Sequence, residues 1–305
     1  MTAATPDKIK NIIVAVDGSE HSFAAVSLIR DLSIDNITCP ECLVTVIGAL
    51  NPLDSATHSV YKAPLFQAQK MLQERCFQVQ TELILGYPAE IIINYAEENR
   101  PDLIVMGAKG LRATLGILLG GVAQQVIEYA ACPVMIVRAP YRPLKHILLV
   151  TDGSASSQYA AEYLAGFPLP KQAEVTIAHV LPPSPILEPG YMIQTWSLTD
   201  DVIQDFPPAN EEDMKARLAE EEKHGKDIIE QTRSLFKRID IPVRTHLLRG
   251  DTATEIIHYV QQNNIDLIVA GSRGLSQMKG WLLGSVSRKL VHYANCSVLV
   301  VKKPS

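Results

Sequence analysis

The residues best suited to hold a ligand lie in one glycine-rich stretch, GSRGLSQMKGWLLGS, at residues 271–285. It follows a short β-branched run and precedes a helical pattern, so it joins a strand to a helix. Its glycines allow positive φ or close backbone approach, and the first amides of the next helix have no partner inside that helix. With Ser285 and the positive end of the helix dipole, Gly271, Gly274 and Gly284 suit an anion, of which phosphate is the obvious example.

A carboxylate is expected beside this loop. Asp152 follows the apolar run HILLV, and ligands of open α/β sheets bind beyond the carboxyl ends of neighbouring strands. Its oxygens can accept hydrogen bonds from ribose hydroxyls or cap the following helix, and the two roles are compatible. Arg273 either reaches a phosphate or stays solvated. Neither GxxxxGK[ST] nor a GxGxxG after the first strand occurs, which disfavours a P-loop ATPase and a dinucleotide dehydrogenase.

The loop belongs to the second of two copies of one unit. NIIVAVDGS returns as HILLVTDGS, and residues 79–138 align with residues 243–302 without a gap at 26 identical positions of 60. A proline-containing linker, APYRPLK, separates the copies. We therefore predict two domains, residues 1–140 and residues 141–305. The second copy carries an insertion, residues 182–214. We interpret its proline-rich part, residues 182–210, as a surface loop, with a lid or a partner surface as the alternative.

Each copy alternates brief β-branched runs with longer helical patterns, which predicts parallel strands joined by crossover helices. The expected strands are residues 11–16, 43–50, 79–85, 102–106 and 133–137 in the first copy, and residues 146–150, 174–181, 243–248, 266–270 and 297–301 in the second. Apolar spacing from Met214 predicts a helix of about seven turns before the third strand of the second copy. The fifth strands are edges that could pair with each other inside one chain.

Composition bounds the class of protein. The chain has 305 residues, 47% of them hydrophobic, which is enough to build two cored domains. Its net charge of -5, with no run of Lys or Arg, makes nucleic acid an unsuitable main partner. It has neither the apolar stretch of a signal peptide nor about 18 consecutive apolar residues, so we expect a cytoplasmic location and no membrane contact.

The cysteines, the histidines and the acidic residues near the third strands are less well suited to form a site. Cys39 and Cys42 have CxxC spacing but no second pair, so an ordinary loop with unperturbed thiols is preferred to a redox or metal site. Cys132 and Cys296 are expected to pack as small apolar residues. The histidines lack ligand spacing. For the acidic residues near the ends of the third strands, Glu90, Asp251 and Glu255, helix capping or solvation is preferred to a metal-assisting role. We therefore assign no catalytic residue and no resident metal.

The pattern Gly271-x2-Gly274-x9-Gly284-Ser285 resembles the nucleotide-binding motif G-x2-G-x9-G-[S/T] of the universal stress protein family. VTDGS after the first strand and AHVLPP at the second extend the resemblance. It implies, in each domain, an open five-stranded parallel sheet of flavodoxin-like or Rossmann-like type, in the order 3-2-1-4-5, with helices on both faces. It also implies ATP, or AMP or ADP, with or without Mg²⁺, between the first and fourth strands, and pairing through the fifth strands.

Carried over residue by residue, the resemblance implies that Asp152 holds the ribose and backbone groups of Val180 hold the adenine. Gly271, Gly274, Gly284, Ser285 and Val286 would surround the phosphates, with Thr151 and Arg273 nearby. The matching set in the first copy is Asp17, Ala49, Gly107, Gly110, Gly120 and Gly121. Because Gly121 stands where the second copy has Ser285, one hydroxyl donor is lost, worth roughly 1–3 kcal/mol against a charged phosphate. We expect a weaker or empty first site.

Together with these features, the resemblance implies a stress-response regulatory protein that binds an adenine nucleotide mainly in its second domain and signals through conformation or contacts with an unidentified protein. One alternative is a slow ATP-hydrolysing enzyme, which the absence of a Walker-type lysine disfavours. Another is a dimerisation module that binds a different small ligand, which the altered first loop favours for that domain. A homodimer is also compatible with the fifth-strand edges.

Overall fold

The computed structural model describes residues 9–33, 42–50, 58–75, 77–110, 118–184, 211–237, 239–275 and 283–303. The first half of this described chain contains β1 (Asn11–Ala15), α1 (Glu20–Asp31), β2 (Leu43–Leu50), α2 (His58–Gln73), β3 (Gln78–Leu85), α3 (Pro88–Asn99), β4 (Leu103–Gly107), α4 (Gly121–Tyr129) and β5 (Val134–Val137). The second half contains β6 (His146–Val150), α5 (Ala155–Ala165), β7 (Glu174–Leu181), α6 (Glu211–Ser234), β8 (Val243–Arg249), α7 (Thr252–Gln262), β9 (Leu267–Gly271), α8 (Ser285–Tyr293) and β10 (Ser297–Val301).

All ten strands lie in one sheet, in the order β3-β2-β1-β4-β5-β10-β9-β6-β7-β8. Each half therefore has the order 3-2-1-4-5 with parallel neighbours, as the sequence predicts. The two halves join through their fifth strands, where β10 runs antiparallel to β5 with Val298 opposite Ile136. The pairing covers both inner edges, which would otherwise expose unpaired backbone groups. The outer edges of the sheet are β3 and β8.

The sheet lies between two layers of helices. Buried residues of α1, α2, α5 and α6 share one apolar cluster, and those of α3, α4, α7 and α8 share the other. Successive strand residues point to opposite layers: Ile147 and Leu149 belong to the first cluster, whereas Leu148 and Val150 belong to the second. Helices cover the central strands on both faces, so nearly all side chains of these strands are apolar.

The predicted strands agree with the observed ones to within one residue at each end. Both fourth strands start one residue later than predicted, after an aspartate whose side chain binds the neighbouring strand. The Asp102 carboxylate accepts hydrogen bonds from the amides of Lys10 and Asn11 at 2.8 and 2.9 Å. The Asp266 carboxylate does the same for the start of β6. These aspartates tie the beginnings of neighbouring strands together.

The long helix predicted before the third strand of the second copy is α6, whose 24 residues make between six and seven turns. It starts at Glu211, directly after Asn210, where the sequence predicts the start of the helix, so the last four residues of the insertion are helical. Residues 185–210 of the insertion, like Cys39, lie outside the described residues. The interpretation of the insertion as a loop or a lid stays a prediction.

Candidate functional site

At the centre of each half, the helices that follow two neighbouring strands lie on opposite faces of the sheet. In the second half, β6 continues into α5 on one face of the sheet, whereas β9 continues into α8 on the other face. In the first half, β1 and β4 diverge in the same way into α1 and α4. Diverging connections leave a crevice at the carboxyl ends of the strands, where open α/β sheets bind ligands.

Asp152 lies in this crevice, beside the glycine loop, as the sequence predicts. Its Oδ1 accepts a hydrogen bond from the amide of Ser154 at 3.0 Å, and its Oδ2 accepts one from the amide of Leu275 at 3.1 Å. The side chain that caps α5 is Ser154, whose hydroxyl accepts from the amide of Ser157 at 3.2 Å. Asp152 therefore orders the turn before the helix and does not cap the helix itself.

The loop glycines are required for close packing. Neither Gly271 nor Gly274 has the positive φ that the sequence suggests; the turn glycine Gly153, at φ 77°, does. A Cβ at Gly271 would lie 2.7 Å from the backbone of Ser156 in α5, and a Cβ at Gly274 would lie 2.7 Å from Oδ2 of Asp152. The loop can approach α5 and the carboxylate this closely only because both positions lack side chains.

The N-terminus of α8 has no side-chain cap. Gly284 is its N-cap residue, and Ser285 is exposed in the first turn. The amide of Gly284 donates to the carbonyl of Ser272 at 2.7 Å, which closes the end of the loop. The following amides and the helix dipole then present partial positive charge to the crevice. Val286 is half-buried against the apolar layer below.

Ser287 supports this geometry, although the sequence did not indicate it as a site residue. Its buried hydroxyl donates to the carbonyl of Gly271 at 2.7 Å and so fixes the first turn of α8 against the end of β9. A serine on the otherwise apolar face of a helix is the signal that could have identified it.

The other predicted residues of the second half have different surroundings. Thr151 is buried, and its hydroxyl lies 3.3 Å from that of Ser157 and 3.4 Å from that of Thr232, between α5 and α6. Val180 is half-buried in β7. Arg273 is exposed, and its amide donates to the hydroxyl of Ser156 at 3.2 Å. Contact of Thr151, Val180 or Arg273 with a ligand stays a prediction.

The first half repeats the arrangement. Asp17 accepts a hydrogen bond from the amide of Ser19 at 2.9 Å. A Cβ at Gly110 would lie 2.5 Å from Oδ2 of Asp17, and one at Gly107 would lie 2.7 Å from the backbone of His21. Gly120 is the N-cap residue of α4 and again lacks a side-chain cap. The substitution at Gly121 has therefore left the backbone geometry of the loop in place.

A cavity of about 280 Å³ lies in the first half at the carboxyl ends of its strands. Its lining includes the apolar side chains of Ile47, Ile92 and Met106 together with Lys109 and the glycine loop. All six residues predicted for the first site line this cavity: Asp17, Ala49, Gly107, Gly110, Gly120 and Gly121. Apolar side chains together with a carboxylate and uncapped helix amides suit a ligand with a flat apolar part and a polar, anionic part.

The cysteines of the described ranges are structural. Cys42 and Cys296 are buried and Cys132 is partly buried, and none forms a disulfide. Burial raises the pKa of Cys42 and of Cys132 to about 11, and that of Cys296 to about 12. The pKa of the Cys42 thiol is thus higher than the unperturbed value expected for an ordinary loop, because this side chain is buried in the core just before β2. Thiols with such high pKa values are poor nucleophiles.

Asp251 is the N-cap residue of α7, as preferred from the sequence. Its Oδ1 accepts hydrogen bonds from the amide and the hydroxyl of Thr254 at 3.1 and 2.7 Å. These hydrogen bonds lower the pKa of Asp251. Within the parts of the chain that the structure covers, no three His, Cys, Asp or Glu side chains are grouped to hold a metal. No helix in those parts is long and apolar enough to cross a membrane.

Known proteins share both the sequence and the fold. A family model described as the universal stress protein family matches residues 8–138 and again residues 143–302. Universal stress protein Mb2028c of Mycobacterium bovis is 23% identical over 319 residues, covering 98% of this chain and 99% of that protein. Universal stress protein YxiE of Bacillus subtilis is 31% identical over 156 residues, covering 51% of this chain and 97% of that protein.

A solved universal stress protein from Archaeoglobus fulgidus superimposes with a TM-score of 0.61 at 20% identity, covering 97% of this chain and 99% of that one. At this identity the superposition shows the shared fold alone. The two family matches divide the chain into the same two halves that the sheet pairs through β5 and β10. This chain belongs to the universal stress protein family and carries the family unit twice.

Proposed function

We propose that this chain is a stress-response regulatory protein that binds an adenine nucleotide at the switch points of its two halves, mainly in the second. The ligand would be ATP, or AMP or ADP, with Mg²⁺ as a companion of the phosphates. The observation that carries the proposal is the meeting of a carboxylate, a close-packed glycine loop and an open helix N-terminus at the same place in both halves.

The second site offers partners for each part of a nucleotide. Each Asp152 oxygen already accepts one hydrogen bond, and because a carboxylate oxygen has two lone pairs, it can accept another from a ribose hydroxyl. The phosphates would accept hydrogen bonds from the first amides of α8 and from the Ser285 hydroxyl. Backbone groups of Val180 would face the adenine.

The first site should bind more weakly, but the cavity supports binding there. Its lining keeps the carboxylate of Asp17 and the loop glycines, and it includes the apolar side chains of Ile47 and Ile92. It lacks the hydroxyl that Ser285 supplies in the second half, and Val16 stands where the second half has Thr151. Losing one hydrogen bond to a charged phosphate would weaken binding by about tenfold or more.

Nucleotide occupancy would act through contacts between proteins. The amides of Ser154 and Leu275 hold the Asp152 carboxylate beside the loop, so we assign this side chain to binding of the nucleotide. A cytoplasmic location and a homodimer are part of this proposal; the exposed outer strands β3 and β8 are available for a further copy or a partner protein. Slow hydrolysis of ATP is the alternative, and release of phosphate in the presence of Mg²⁺ would reveal it.

Mass spectrometry of the small molecules released from the purified, denatured protein tests the proposal. We expect an adenine nucleotide at about one per chain or more, and a smaller amount from the Ser285→Ala variant. A purified protein that releases no nucleotide, and that takes none up when ATP is added, would overturn it.

A further inference from the structure

Two basic residues occupy equivalent positions just after the fifth strands of the two halves. Arg138 follows β5 and Lys302 follows β10, at the same offset that aligns the two copies. Each side chain crosses to the last helix of the other half. Lys302 Nζ donates to the carbonyls of Glu128 and Ala130 at 3.0 and 2.6 Å, at the C-terminus of α4.

Arg138 makes the reciprocal contact and extends it. Its Nη2 donates to the carbonyl of Val291 at 2.7 Å and lies 3.5 Å from that of His292, at the C-terminus of α8, and its Nε donates to the carbonyl of Cys296 at 3.2 Å. The last carbonyls of a helix lack partners inside the helix and carry the negative end of the dipole, so they attract positive charge. Burial opposes this attraction and lowers the pKa of both Arg138 and Lys302.

The remaining arm of the guanidinium reaches the first binding site. Nη1 of Arg138 donates to the carbonyl of Leu118 at 2.6 Å. Leu118 lies two residues before Gly120, the N-cap residue of α4 and part of the cavity lining. The amide of Gly120 donates to the carbonyl of Ala108 at 2.7 Å. Among the described residues, the end of the first glycine loop is therefore held both by backbone bonds from inside the first half and by a bond from Arg138.

The second half sets the position of Arg138. Three of its four side-chain acceptors are carbonyls of that half, and its own amide lies 3.3 Å from the Ser297 hydroxyl in β10. The N–H donors of a guanidinium lie in one plane and point in fixed directions. The bonds of Nε and Nη2 to the second half therefore fix the direction in which Nη1 donates to the Leu118 carbonyl. A lysine has a single nitrogen and cannot span the same three segments.

We propose that Arg138 is a positioning residue for the first binding site: by holding the Leu118 carbonyl, it fixes the end of the glycine loop and the start of α4, and it makes that site depend on docking of the second half. The ligand affinity in this proposal rests on the proposed function. The ordering of the loop does not, because the contacts exist without a ligand.

The test is the Arg138→Lys variant, with Lys302→Arg as the matched control. Lysine at this position keeps the charge, and Lys302 shows that it can serve two carbonyls at a helix C-terminus. Amide hydrogen exchange without ligand would be followed at Gly120, with Gly284 as the internal reference, because its amide makes the equivalent bond to Ser272. We expect exchange at Gly120 to accelerate about tenfold in Arg138→Lys, with Gly284 unchanged and neither amide affected in Lys302→Arg.

Calorimetric titration with ATP gives the second readout. We expect Arg138→Lys to weaken the first site by about fivefold to tenfold and to leave the second site nearly unchanged. Because the lysine leaves some of these carbonyls without a donor, the melting temperature should fall by about 2–4 °C. Unchanged exchange at Gly120 would overturn the proposal, as would equal weakening of both sites. If wild-type protein takes up no nucleotide but Gly120 still responds, the proposed function fails and the positioning role stands.

Discussion

Asp152 Oδ2 accepts a hydrogen bond at 3.1 Å from the amide of Leu275, a residue 123 positions further along the chain. This bond joins the turn after β6 to the glycine loop after β9, so the carboxylate and the loop form one unit. In the first half, Gly110 lies as close to Asp17 as Gly274 does to Asp152. The repeated pairing of aspartate and loop is the basis of the proposed nucleotide sites.

The first prediction concerns this carboxylate. In Asp152→Asn, the amide group has one oxygen where the carboxylate has two, so it cannot accept from both Ser154 and Leu275 and still accept from a ribose. We expect the affinity of the second site for ATP to fall by about tenfold or more, and the free energy of unfolding to fall by about 1 kcal/mol. Calorimetric titration and urea unfolding measure the two effects. Asp17→Asn is the control and should weaken only the first site; equal affinities in wild type and Asp152→Asn would argue against the assignment.

The second prediction is a gain of affinity. A Cβ added at Gly121 would meet nothing within 4 Å, so Gly121→Ser can place a hydroxyl at the position that Ser285 occupies in the second half. We expect the first site to bind ATP about tenfold more tightly. Gly121→Ala is the control, because it supplies the better helix propensity without the hydroxyl and should add about 0.5–1 kcal/mol to stability. The idea fails if alanine and serine change the affinity equally.

The third prediction separates packing from ligand binding. Alanine at Gly271 would place its Cβ 2.7 Å from the Ser156 backbone, and α5 would have to move. We expect Gly271→Ala to lower the free energy of unfolding by about 1–3 kcal/mol. Gly284→Ala should cost much less, because the nearest atoms to its Cβ lie at 3.4 Å and φ is -67°. Urea unfolding of both variants measures the difference; similar losses would contradict the packing role of Gly271.

The fourth prediction concerns pH. Burial lowers the pKa of Lys302 to about 8, whereas the same lysine in the unfolded chain keeps a pKa near 10.4. Between these values the unfolded state binds more protons, so the stability of the wild type should rise with pH. Lys302→Met lacks the titrating group and leaves two carbonyls without a donor at every pH.

The difference in unfolding free energy between wild type and Lys302→Met should therefore grow in favour of the wild type from pH 7.5 to pH 10, by up to about 3 kcal/mol. Urea unfolding at both pH values measures it. A difference that stays constant or shrinks over this interval would show that the lysine is not held at a lowered pKa.

Most of the fold follows from patterns that are local in sequence. Alternation of short β-branched runs with helical spacing locates every strand to within one residue, and the internal repeat reveals the two halves. The strand order within each half came from the resemblance to a family. Pairing of β5 with β10 was one of two outcomes open to the edge strands, and only the tertiary structure distinguishes it from pairing between chains.

The site was predicted less completely because its details depend on distances between segments far apart in sequence. Glycine composition indicates freedom of the backbone, but whether Gly271 uses positive φ or close packing depends on where α5 lies. The bond from Ser287 to the Gly271 carbonyl and the reach of Arg138 to Leu118 are tertiary contacts with no motif of their own. The intact cavity in the first half likewise depends on the backbone, which the change at Gly121 leaves in place.

The measurement that tests the central claim most directly is calorimetric titration of nucleotide-free protein with ATP, for wild type, Gly274→Ala and Gly110→Ala. A Cβ at either glycine would displace the neighbouring carboxylate oxygen. We predict a tight and a weaker site in the wild type, loss of the tight site in Gly274→Ala and loss of the weaker site in Gly110→Ala. Absence of saturable binding tighter than about 1 mM in the wild type, or binding unchanged in both variants, would contradict the account.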